Sequence, residues 1–287
     1  MNNYKIEKNK KIDLHTHSTF SDGTFTPIEL VHAAKAAGLS AFALTDHDTI
    51  DGVSVAREEA KKVGVELIGG CEISVDYKGT QLHLLAYFVE NGEDELRKYL
   101  LSFEATRQKR NVEMANKLAS CGVIITDEDL LAGEKTVVTR AHYARAMVRK
   151  GYVRDNNEAF DKYLGIGKKC YTKRVNVDVI ECITFLRRYN IVPVLAHPFL
   201  YGLDAEEIRV MVEELASAGL LGIEGIYRSH TDLQNSFINK WARENDLAVT
   251  GGSDFHGENK PGVFLGVGRN NISVDFKILE ALKGLVQ

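Results

Sequence analysis

Short apolar runs alternate along most of the chain with stretches in which apolar residues recur every three or four positions, a pattern that predicts successive β/α units. The predicted strands are Ile12–Leu14, Ala41–Leu44, Glu66–Ile68, Leu82–Ala86, Val192–Leu195, Gly222–Ile226 and Ala248–Thr250. Several helices between them carry their own end signals. Thr26-Pro27-Ile28-Glu29 sets a capping threonine before a proline at the first helical position, and Gly38 ends that helix. Gly64 closes a helix that begins near Val53, and Asp204 caps another that runs to Ala218 and stops at Gly219. Tyr77-Lys78-Gly79-Thr80 reads as a hairpin turn between two strands. From about Asn91 to Val175 the alternation fails, and charged, helix-patterned segments (Glu93–Ser120, Arg140–Lys150, Asn156–Leu164) replace it. Two β/α blocks, residues 1–90 and 176–287, are therefore expected to form one unit interrupted by a helical insertion over 91–175.

The length of 287 residues suits one barrel-sized domain with such an insertion. A net charge of −4 excludes a broad cationic surface for long duplex nucleic acid but leaves room for a basic pocket around a small phosphorylated ligand. No stretch is long and apolar enough to span a membrane, and the lysine-rich segment Met1–Lys11 lacks the apolar core of a signal peptide. Cys71, Cys121, Cys170 and Cys182 form no CxxC pair, which points to reduced thiols and a cytoplasmic location.

The histidines cluster at the ends of predicted strands. Asp13-Leu14-His15-Thr16-His17 is followed by Ser21-Asp22-Gly23, and Thr45-Asp46-His47-Asp48 follows the second strand. Gly70-Cys71-Glu72 follows the third, His83 lies in the strand beyond the hairpin, and Ala196-His197-Pro198 and Gly252-Ser253-Asp254-Phe255-His256 follow two more. Residues two apart in extended chain share a face, so His15 and His17 can converge on one cation, and Asp22 can return toward the same mouth. In β/α barrels catalytic groups sit at the C-terminal ends of strands. With Asp22, Glu72 and Asp254 these histidines exceed the needs of one four-coordinate ion. They suit two or three ions bridged by a carboxylate, and mixed imidazole and carboxylate donors favour Mn, Zn or Fe.

The order His15-x-His17, Thr45-Asp46-His47-Asp48, Gly70-Cys71-Glu72, His83, Ala196-His197-Pro198 and Ser253-Asp254-Phe255-His256 resembles the PHP (polymerase and histidinol phosphatase) family. It is most similar to the branch with a helical insertion and nucleoside 3′,5′-bisphosphate phosphatase or 5′→3′ exoribonuclease activity. The resemblance spans nearly the whole chain and implies a distorted seven-stranded β/α barrel with a trinuclear site. It implies that His15, His17, Glu72 and Asp254 hold one ion, that Glu72 bridges to a second completed by His83 and His197, and that Asp22, His47 and His256 hold a third. Some members carry histidine where this chain has Asp22, which leaves the metal preference at that position open.

Other residues carry smaller expectations. Asp13, Asp46 and Asp48 are read as orienting imidazoles or capping loops. Thr139-Arg140-Ala141-His142 opens a helix in the insertion and resembles an Arg-x-His element that contacts substrate phosphate, so Arg140 and His142 join Glu72 as the expected catalytic set. Arg228 and His230, beyond the Gly222–Ile226 strand, are further candidate substrate contacts. The basic run Lys168, Lys169, Lys173 and Arg174 reads as solvated surface. The reading is a metal-dependent phosphoesterase in which a metal-activated hydroxide attacks a small nucleotide or the 5′ end of short RNA. Two rivals are a metal-dependent amidohydrolase, which usually needs a bridging lysine carbamate where Glu72 stands, and a metal-loaded binding module without turnover, which a missing ligand would favour.

Overall fold

A computed structural model of the chain describes residues 10–131, 137–269 and 272–286; apart from Lys10 and Lys11, the polar N-terminal segment lies outside them. Its strands are β1 (Lys11–Thr16), β2 (Ala41–Leu44), β3 (Glu66–Tyr77), β4 (Thr80–Tyr87), β5 (Val177–Asp178), β6 (Val192–Leu195), β7 (Gly222–Tyr227), β8 (Ala248–Gly252) and β9 (Val274–Asp275). Helices α1 (Pro27–Ala36) and α2 (Asp51–Val63) follow β1 and β2. Between β4 and β5 come α3 (Glu93–Leu101), α4 (Glu104–Ser120), α5 (Asp127–Leu131), α6 (Arg140–Arg149) and α7 (Asn156–Ala159). Helices α8 (Val179–Arg188), α9 (Ala205–Ser217), α10 (Asp232–Glu244) and α11 (Phe276–Lys283) complete the chain.

The sheet runs β8-β7-β6-β4-β3-β2-β1-β9, with β5 paired to β3. The hairpin predicted at Tyr77–Thr80 makes β4 antiparallel to β3 and to β6, which distorts a barrel whose other pairings, apart from that of β9 with β1, are parallel. The seam between β1 and β8 is bridged at one end only. At its other end β9 pairs with the start of β1. At the bridged end, His17 N donates to Phe255 O at 2.9 Å and Phe255 N to His15 O at 3.3 Å. That approach requires Gly252, where a Cβ would lie 2.4 Å from His15 Cβ.

All seven predicted strands are present, and the two not foreseen, β5 and β9, have two residues each and carry no readable pattern. Strand β3 is far longer than Glu66–Ile68, because Gly69, Gly70, Glu72 and Ser74 interrupt its apolar run. The capping box at Thr26 and the left-handed Gly64 cap form as expected. The helix-patterned segment Glu93–Ser120 forms two helices, separated where Ser102 Oγ turns back onto Tyr99 O at 2.6 Å.

Side chains alternate across the sheet. Phe42, Leu44, Cys71, Ile73, Leu82 and Leu84 pack outward among the helices, whereas Ile12, Leu14, Ala41, Leu85, Tyr87 and Val194 fill the barrel with Leu279 and Leu282 of α11. In β1 this alternation breaks. Asp13 pairs with Phe42 but Thr16 with Leu44, so β1 holds one extra residue, a bulge. Below it Ile12 and Leu14 point inward; above it His15 and His17 do. The segment between β4 and β5 has its own apolar cluster, with Met114, Leu118, Tyr143, Met147 and Leu164 at its centre. Each such side chain contributes roughly 1.5–3 kcal/mol on burial, enough to fix short helices that would not persist alone.

Candidate metal centre

Glu72 is the hub of the barrel mouth. It is almost fully buried in the middle of β3, not at a strand end as the sequence suggested, because β3 continues to Tyr77. Its Oε2 lies 3.2 Å from His15 Nε2, 3.2 Å from His17 Nε2 and 3.3 Å from His47 Nδ1. Its Oε1 lies 2.9 Å from both His83 Nδ1 and His197 Nε2. His83 reaches this mouth from the first half of β4 because β4 runs antiparallel. Asp254 Oδ1 stands 3.6 and 3.5 Å from His15 and His17, and Asp22 Oδ1 stands 3.2 Å from His256 Nε2 and 3.8 Å from His47 Nε2.

Among the described residues, three groups have ligand atoms mutually within 4.8 Å: His15, His17, Glu72 and Asp254; His17, Asp22, His47 and His256; and His47, Glu72 and His83. The first equals the set that the family resemblance implies. The second adds His17 to an implied set, and the third has His47 where His197 was expected, although His197 also touches Glu72. Burial pushes the His47 and His256 imidazoles down to about 3 and about 4, leaving neutral lone pairs. Burial acts the same way on His17, but Asp254 and Glu72 outweigh it and raise it to about 9, so this point attracts positive charge. Despite burial, Glu72, Asp22 and Asp254 stay well below the usual carboxylate range. The donor set fits divalent metal ions: His15 Nε2, His17 Nε2, Asp22 Oδ1 and His83 Nδ1 are buried without a hydrogen-bond partner among the described residues.

Neighbouring acids divide the supporting work. Asp13 accepts from Ser253 N and Oγ and Gly266 N, and Asp46 from Ser18 N, Ser18 Oγ and Ser21 Oγ; both cap loops. The residue that orients imidazoles is one to which the sequence reading gave no role. Glu224, fully buried in β7, meets His15 Nδ1 at 3.0 Å and accepts from His197 N at 2.9 Å. An acid inside the apolar run Gly222–Ile226 was the available signal.

A cleft of about 550 Å³ opens on Asp22, His47, His83 and His256. Its walls carry Arg107, Arg110, Arg140 and Arg174 on one side and Arg228, Lys260 and Arg269 from the loops after β7 and β8. Arg174 corrects the reading of the basic run. It is buried and donates to Asp48 Oδ2 at 2.6 Å, while Lys168, Lys169 and Lys173 are exposed as expected. Arg107 Nη2 also lies 3.4 Å from Asp48. Burial, with Arg140 and Arg174 nearby, lowers Arg110 to about 10. Arg140 packs over Tyr171 and Phe160, and Arg228 lies 3.7 Å from Asp254. His142 and His230 are not brought to the cleft lining. His142 is buried with Nδ1 accepting from Thr139 N at 3.1 Å, and His230 Nδ1 is held 3.0 Å from Gly225 O.

The chain matches the PHP domain model over residues 13–166. It is 38% identical to a 5′-3′ exoribonuclease of Haemophilus influenzae over 86% of this chain and 90% of that protein. It is 29% identical to a 3′,5′-nucleoside bisphosphate phosphatase of Chromobacterium violaceum, covering 88% and 89% of the two chains. A solved structure from Bifidobacterium adolescentis, assigned as a metal-dependent phosphoesterase, superposes with a TM-score of 0.85 at 30% identity over 98% of each chain. With a nearly closed barrel, a mouth of histidines and carboxylates and these relatives, the chain belongs to the PHP family of metal-dependent phosphoesterases.

Proposed function

We propose that the chain hydrolyses a phosphate monoester or 5′-terminal phosphodiester of a small nucleotide, a nucleoside 3′,5′-bisphosphate or the 5′ end of short RNA. The observation that carries this reading is the junction of two features in one cleft: the carboxylate and imidazole mouth, and a wall of arginines that exceeds its acids. The cleft volume falls in the range that holds one small ligand. Arg110 Nε and Arg174 Nε and Nη2 are buried without an acceptor among the described residues, as donors awaiting an anion would be.

Two to three divalent ions, Mn, Zn or Fe, would be held by His15, His17, Glu72 and Asp254, by Glu72, His83 and His197 or His47, and by Asp22, His47 and His256. When bound, they supply a hydroxide at neutral pH and neutralise phosphoryl oxygens. The protein's own part is positioning. Glu72 offers both oxygens to different imidazoles and so fixes their spacing. Glu224 holds His15 and the His197 backbone in register. Arg140 and its neighbours Arg110 and Arg174 dock the phosphate that does not react, which orients the one that does. Neither Ser74, whose hydroxyl donates to Asp48, nor Cys71, whose buried thiol is pushed upward, is set up as a nucleophile, which favours direct attack by water. Residues 91–175 act as an inserted lid that supplies most of these arginines. The four free thiols suit a reducing, cytoplasmic setting. A C–N hydrolase is not favoured, since the named relatives cleave phosphate esters.

A product-resolved screen of Mn²⁺-loaded protein tests the reading against nucleoside bisphosphates, short 5′-phosphorylated oligoribonucleotides, sugar phosphates and an amide panel. Release of phosphate or mononucleotide supports it; turnover confined to amides would overturn it.

A further inference from the structure

The two oxygens of Asp22 face different parts of the chain. Oδ1 points among the imidazoles of His256 and His47, buried and without a hydrogen-bond partner among the described residues. Oδ2 accepts from Thr139 Oγ1 at 3.2 Å, across 117 positions of sequence. Thr139 is the N-cap of α6, and two residues earlier Val137 N donates to Phe20 O at 3.0 Å, so this segment of the insertion is pinned along the loop that carries Asp22. The hydroxyl has one proton to give. Thr139 Oγ1 already accepts from Ala141 N at 3.2 Å, and the Nδ1 lone pair of His142 is taken by Thr139 N at 3.1 Å. Asp22 is left as the acceptor for that proton.

We propose that Thr139 is a positioning residue for the metal subsite of Asp22, His47 and His256, so that the docked insertion, and not the barrel alone, completes that subsite. The inference rests on the metal reading above. A carboxylate held at one oxygen only can turn about its last side-chain bond; the Thr139 bond fixes the plane that aims Oδ1 at the imidazoles. The next residue, Arg140, lines the substrate cleft from the same helix start, so the grip on Asp22 and the grip on substrate move together.

Calorimetric titration of chelator-stripped protein with Mn²⁺ tests this without turnover. In Thr139→Val one ion per chain is expected to bind about 10- to 100-fold more weakly, the others as in wild type, and Thr139→Ser to recover the affinity. Because Thr139 also caps α6, hydrogen exchange over Arg140–Arg149 is read on the same samples. Wild-type affinity for every ion in Thr139→Val overturns the proposal, as does a loss that Thr139→Ser fails to recover or that appears only where α6 has lost protection. A wild-type protein that never binds the ion at Asp22 sinks the metal reading and this inference together.

Discussion

Arg174 Nη1 donates to Asp48 Oδ2 at 2.6 Å, joining side chains 126 positions apart that are both buried. The contact ties the exit of the helical segment to the loop that carries His47. Asp48 also accepts from Ser74 N and Ser74 Oγ, and its backbone sits in the left-handed region at φ +52°. Burial acts to raise its carboxyl, but Arg174 and Arg107 more than offset that and hold it below the usual carboxylate range. Arg174→Met leaves a buried anion short of its main partner. We expect a loss of about 3 kcal/mol in urea unfolding, with Arg107 limiting the damage. An unchanged midpoint would mean that the pair is not formed in solution.

Glu72 touches five histidines, so its charge cannot be replaced locally. Glu72→Gln is expected to fold, to bind fewer metal ions by elemental analysis and to lose nearly all turnover. Retention of more than about a tenth of wild-type kcat, a barrier change of only about 1.4 kcal/mol, would refute its bridging role.

Arg140 is expected to act on the non-reacting phosphate. Arg140→Ala should lower kcat/KM on a nucleoside bisphosphate by a factor equivalent to about 2–4 kcal/mol, and far less on an aryl phosphate. Equal losses on both would assign Arg140 to the metal centre or to the packing over Tyr171 and Phe160.

Metal removal should destabilise the fold. Adding Mn²⁺ at about 100 times its Kd to stripped protein should contribute about 2.7 kcal/mol, seen as a rise in Tm. Uptake should release protons, because His17, raised to about 9, is protonated near neutrality and must give up its proton to ligate. Metal affinity should therefore increase as pH rises toward that value. Calorimetry in two buffers of different ionisation enthalpy measures the release, and none at pH 7 would contradict it.

The apolar cores of seven strands and the histidine-bearing segments are legible in the sequence because both are local: an apolar run and an HxH spacing declare themselves within a few residues. What escapes is set by distant partners. Nothing in Lys173-Arg174-Val175 announces that an aspartate 126 positions earlier will bury that arginine. Arg107 and Arg110 look like ordinary charges on an amphipathic helix until α4 is laid beside the cleft. Glu224 was readable as an oddity in an apolar strand, but its task depends on the neighbouring strands that bring His15 and His197 to it. His142 is the converse case, since an Arg-x-His spelling does not show that Thr139 N will hold the imidazole Nδ1 while Arg140 lines the cleft.

The bulge in β1 has a consequence for how this strand can vary. One extra residue works there as a change of reading frame in space: before it the inward positions are even-numbered and oily, after it odd-numbered and built to hold cations. The six-residue strand with His17 just beyond its end thus serves two compartments, and no loop marks the border between them. Substitutions on either side alter one compartment at a time. A gain or loss of one residue moves the border itself, placing leucine among the carboxylates or histidine in the oil, so β1 can drift in spelling but not in length.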